Sequence, residues 1–176
     1  AGTAVPGDMP GAFDYPPAGN LWKAVDEAQS FVNTNWFGDA GWGAIDCSPV
    51  ITHKGSKHTI VIPVETPAEQ WHAQWALTEA PISIKMGQKV DFSCKVTTTA
   101  KLPLATFKLC DTGNDDSYLF ADMYQNVNGE YVVRYDDATI QGSKAGDMEK
   151  VKFVMDFAGA PVDAEITVSD IVLIVK

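Results

Sequence analysis

From Thr59 to Val175 the chain repeats one pattern: runs in which apolar side chains take every second position, separated by Gly, Pro, Asn and Asp. A period of two sends successive side chains to opposite faces of a pleated strand, which is incompatible with a helix. In 70–78, Trp71, Ala73, Trp75 and Leu77 share one face, with His72, Gln74, Ala76 and Thr78 on the other. Val90, Phe92, Cys94 and Val96 form the apolar side of 89–97, and Val151, Phe153, Met155 and Phe157 that of 150–157. The β-branched run Thr59 to Val64 carries Pro63 near its end, as a strand terminus or edge does. Segments 106–110, 117–124, 131–135 and 166–175 read as further strands, with Asn126 to Glu130 as a turn. About nine such runs and one short helical turn from Asn20, a candidate N-cap, to Ala28 predict an all-β antiparallel sandwich, or jelly roll.

Residues 1–19 are dense in Gly and Pro and lack periodicity, so they read as a linker or an arm laid on the surface. The folded domain is expected over 20–176. That length can bury a core without covalent staples. The three cysteines, Cys47, Cys94 and Cys110, are expected to be buried, reduced thiols, and no spacing among them suggests zinc. Twenty-three acidic against 13 basic residues give a net charge of −10, with no basic stripe. Such a surface repels phosphate backbones and anionic lipid, so neither nucleic acid nor membrane is an expected partner. A neutral ligand escapes this repulsion.

Tests for chemistry return little. His53, His58 and His72 have no serine in a nucleophile elbow beside them. Glycoside cleavage needs two carboxylates held across the scissile bond. Asp115-Asp116 and Asp136-Asp137 are adjacent pairs in turn-like settings and read as solvated loop acids. Asp122 and Asp156, within strands, could face a polar cleft and accept hydroxyl hydrogen bonds. No cofactor is required by any motif. A structural calcium is possible, with Asp170 of the last strand as the candidate ligand.

The aromatic residues carry the functional signal. Of five tryptophans, Trp36 and Trp42 fall with Phe37 in a Gly- and Asn-rich stretch, Asn33 to Gly43. An exposed indole there offers a flat apolar face to the CH groups of a sugar ring, while amides satisfy its hydroxyls; core packing is the competing role. Trp71 and Trp75 share a face with Ala73 and Leu77 and are assigned to the core. His72 and Gln74 then stand on the opposite face. On the 117–124 strand, Tyr118, Phe120 and Asp122 are assigned to the outer sheet, with Leu119 and Met123 facing inward.

Asn20-Leu21-Trp22-Lys23, Gly41-Trp42, Glu65 to Trp75, Tyr118 to Asp122 and Val168 to Leu173, in that order, resemble carbohydrate-binding modules related to family 4 (family 4/9/22-like). The versions they resemble are attached to or inserted in xylanases and endoglucanases of gut and rumen Bacteroidetes. The resemblance implies a jelly roll whose concave sheet forms a cleft for one β-linked glycan chain. It puts a cleft amide at Gln74 and the aromatic loop at Trp36 to Trp42. This chain departs from the pattern where Phe37 to Gly41 replaces a tyrosine-rich, proline-containing run, and where His72 replaces an amide. The expected function is non-catalytic: a secreted, monomeric module that binds xylan or β-glucan and targets a parent glycoside hydrolase domain to substrate. The alternatives are a sandwich-fold glycosidase or lyase, and a surface adhesion or assembly domain.

Overall fold

A computed structural model describes residues 3–6, 11–28, 32–37, 49–66 and 68–176. In chain order the elements are β1 (Thr3–Pro6), α1 (Trp22–Ala28), β2 (Val32–Phe37), β3 (Val50–Lys54), β4 (Lys57–Val61), β5 (Ala73–Ala80), β6 (Val90–Asp111), β7 (Asn114–Ala138), β8 (Val151–Ala158) and β9 (Glu165–Val175). All pairings are antiparallel.

Two strands create the sandwich. The first half of β6 pairs with β9, and its second half, from Leu104, pairs with β8. β7 follows β6 along its length. One layer therefore runs β2-β5-β8-β6-β7 and the other β3-β4-β9-β6-β7-β1, with β6 and β7 bending from one into the other. The bend falls at Asn126 to Glu130, which the sequence presents as a turn. The ladder instead continues through it, with Thr98 opposite Gly129 and Leu102 opposite Val127 across a register shift. Asn126 and Gly129 have φ values of 55° and 72°. Left-handed backbone at two nearby positions curves a strand without ending it.

The apolar faces of the layers meet in one core. Phe92 from one layer packs against Phe120 and Phe153 of the other, with ring centroids 4.9 and 5.2 Å apart. Tyr135 stacks on Phe120 at 3.8 Å. Trp75 and Trp22 are fully buried. Asn20 ties α1 to this core: its side-chain oxygen accepts from the N–H groups of Trp22 and Leu173, and its amide donates to the Ile171 carbonyl.

Within the N-terminal segment, β1 pairs with residues 131–134 of β7. Arg134 donates to the Gly11 carbonyl and sits 4.0 Å from the Phe13 ring centre. Cys94 and Cys110 lie on one strand, β6, buried and free. Burial pushes both thiols up, Cys110 to about 11, so neither is a ready nucleophile. Cys47 lies outside the described residues. Among the described residues no helix is long and apolar enough to cross a membrane.

Candidate functional site

The outer face of the β5-β8-β6-β7 layer forms an open groove of about 370 Å³. Strand register builds its floor, because residues paired across antiparallel strands project from the same face. One rung runs Gln74, Asp156, Thr106, Met123. The next runs Ala76, Val154, Lys108, Ala121. The floor is thus a grid of small or flexible apolar side chains interleaved with an amide, a hydroxyl, a carboxylate and an ammonium group. Gln70 and Trp71 close one end, and Lys152 with Asp115 the other. Lys152 and Asp115 form an ion pair at 2.6 Å, and Gln70 reaches the Thr106 hydroxyl at 3.4 Å.

Trp71 is the main departure from the sequence reading. Assigned to the core with Trp75, it lines the groove instead, half-buried. The alternation that links the two tryptophans does not extend back that far, because β5 begins at Ala73. Trp71 has φ 61°, a left-handed conformation that bulky residues rarely adopt, and this reverses the direction of its side chain relative to a continued strand. Such strain persists only where the surroundings enforce it, and it gathers at ligand-binding positions. His72 is correspondingly displaced. Assigned to the binding face, it is buried, edge-on to the Trp71 ring at 4.4 Å, where it can support the indole from behind.

On β7 the assignment of faces also inverts. Phe120 is buried against Tyr135, while Ala121 and Met123, expected inside, line the groove. Asp122 is on the inner side, where it accepts a hydrogen bond from the Tyr135 hydroxyl. The cause is a bulge: Leu109 pairs with Phe120 but Cys110 with Tyr118, so Leu119 has no partner and alternation breaks there. Tyr118 thereby stays on the groove side, with the Lys108 ammonium 5.4 Å from its ring centre.

Gln74 lies in the groove floor. Trp36 pairs with it, and Phe37 with Ala73, in the β2–β5 ladder. Trp42 lies outside the described residues. Asp170 is engaged by Ser56 at 2.6 Å and Lys95 at 3.2 Å. Among the described residues no group of three or more His, Cys, Asp or Glu side chains is gathered to hold a metal ion.

Asp156, read from the sequence with Asp122 as a strand acid able to face a polar cleft, lines the groove floor, on the opposite side of β8 from Met155 and Phe157. It is only 7% exposed, and its Oδ1 is buried with no hydrogen-bond partner among the described residues. Burial raises its pKa to about 6, opposed by a hydrogen bond from Gln74 and by the charge of Lys108.

No protein-family model matches this chain, and no curated protein matches it either. Solved structures share its fold. One described as "CBM4 structure and function" superposes with a TM-score of 0.52 over 82% of this chain and 94% of its own, at 13% identity. Another, "BiXyn10A CBM1 APO", gives 0.52 over 82% and 89%, at 11% identity. The chain therefore adopts the antiparallel β-sandwich of those two proteins.

Proposed function

We propose that this domain binds a single β-linked plant polysaccharide chain, xylan or β-glucan, in the groove and does no chemistry on it. In this reading it is an extracellular, monomeric module that holds a parent glycoside hydrolase on its substrate. The groove floor carries the proposal. Sugar rings alternate CH faces with equatorial hydroxyls, and the rungs of the grid offer small apolar side chains beside hydrogen-bonding ones. Trp71 is the stacking platform at one end, and Trp36 and Trp42 are proposed as further platforms. The shared fold with two structures described as CBMs supports the reading. Affinity is modest, because hydroxyls trade water hydrogen bonds for protein ones at little net gain.

One observation favours a second reading. Asp156 and Asp115 line the same groove, and two carboxyls in one groove, one with its pKa raised by burial to about 6, are the pattern of a glycosidase acid and base. Against it, Asp115 is exposed and tied to Lys152, and Asp156 has one oxygen sealed beneath the surface. Affinity electrophoresis on soluble xylan, β-glucan, xyloglucan and mannan, with a reducing-sugar assay alongside, separates the two. Retention without product supports the module. Product release that Asp156→Asn abolishes would establish the enzyme, and no retention on any glycan would leave the face to protein contact.

A further inference from the structure

The charged side chains lining the groove, among the described residues, are Lys108, Lys152, Asp115 and Asp156. Lys152 and Asp115 neutralise each other in their ion pair, and Asp156 is buried in the floor. Lys108 is different. It is half-buried and forms no ion pair among the described residues. The side chains of its rung neighbours, Val154 and Ala121, offer an ammonium group nothing to bond, and Asp156 stands one rung away. The ammonium lies over the Tyr118 ring at 5.4 Å, a cation–π contact that fixes where the charge stands without neutralising it.

A cation drawn partly out of water with no counter-ion has lost hydration without gaining an ion pair. A neutral sugar returns little, because its hydroxyl replaces water bond for bond. A carboxylate returns more, since it adds a charge-assisted hydrogen bond in a groove that excludes water. We infer that Lys108 is a specificity residue that receives the carboxylate of a uronate borne singly on an otherwise neutral β-linked chain. This rests on the glycan-binding reading above and narrows it. The limit to isolated carboxylates follows from the same residues. Lys108 is the one groove cation without an ion pair among the described residues. Asp115, Asp156 and the net charge of −10 repel a chain charged at every sugar.

Calorimetry on the whole chain tests this. Xylohexaose and cellohexaose are each compared with the same chain carrying one glucuronate, added as a branch or made by oxidising one C6, and with that carboxyl reduced to the alcohol. On whichever backbone binds, the acid form should bind about tenfold tighter than its reduced form, the size of a charge-assisted bond over a neutral one. That ratio should shrink at least about twofold in about 1 M NaCl, where the Debye length is about 3 Å. Lys108→Gln should bind acid and reduced forms equally, and Lys108→Arg should restore the ratio. Equal binding of the two forms by the native protein, a ratio that ignores salt, or a ratio that survives Lys108→Gln overturns the inference and leaves the glycan reading standing. So does hexagalacturonate binding tighter than the singly charged chains. No binding of any chain, neutral or charged, overturns the glycan reading itself and this inference with it.

Discussion

Two buried aspartates show how this sandwich divides structure from function. Asp26, in α1 against the β3–β4–β9 layer, is 2% exposed and satisfied. It accepts from the Tyr15 hydroxyl at 3.0 Å and from His58 Nε2 at 2.9 Å, and His58 is bonded in turn to His53. Asp156 is nearly as buried but keeps one oxygen without a partner among the described residues. A buried polar group that is fully paired rigidifies its surroundings, while one left incomplete costs free energy. Asp156 carries that cost at the groove, and the fully paired Asp26 does not. The first aspartate belongs to the fold and the second to the site.

The two regions also answer pH in opposite directions. Burial and the neighbouring His58 lower the pKa of His53 to about 4. The unfolded chain then holds more protons at that histidine than the native one, so this contribution to stability grows as pH rises from about 4 to 6.5. Asp156 has a raised pKa, so its contribution is present below about 4 and is lost as pH climbs through about 6. The contributions offset one another in the native protein.

The largest effect should come from the satisfied site. Asp26→Ala strands the buried His58 and the half-buried Tyr15 hydroxyl and should lower unfolding free energy by about 3 kcal/mol, read by urea denaturation, with glycan affinity unchanged. Near-native stability in this variant would erase the contrast. Asp156→Asn should act with the opposite sign. Removing a desolvated charge should stabilise the protein at pH 7.5 by up to about 3 kcal/mol. The gain should shrink toward pH 4 and uncover the rise in stability that His53 contributes. Destabilisation at pH 7.5 would mean that Asp156 is as well satisfied as Asp26.

The tryptophans sharpen the same division. Trp75→Ala should cost about 3–5 kcal/mol as a core deletion. Trp71→Ala should cost under about 1 kcal/mol yet reduce glycan affinity at least about tenfold. Equal melting losses would return Trp71 to the core. Smallest of all is the response to calcium. With Asp170 held by Ser56 and Lys95, calcium or a chelator should leave the melting temperature unmoved in a thermal shift assay.

Much of this was legible in the residues. Alternation with period two determined an all-β sandwich, the core faces of β6 and β8, and the placement of Gln74 opposite to Trp75, because side-chain direction within an unbroken strand follows from chirality and pleat alone. Only the tertiary structure decided what happens where alternation breaks. The left-handed Trp71, the unpartnered Leu119 and the bend at Asn126 to Gly129 each insert an irregular residue, and one such residue moves every neighbour beyond it to the other face. A period-two pattern carries no sign of such a residue, because the break lies in one backbone conformation or one skipped pairing. These irregularities brought Trp71 and Met123 into the groove and took His72 and Phe120 out of it, while the β5–β8 ladder set Gln74 opposite a buried carboxylate nearly half the chain away.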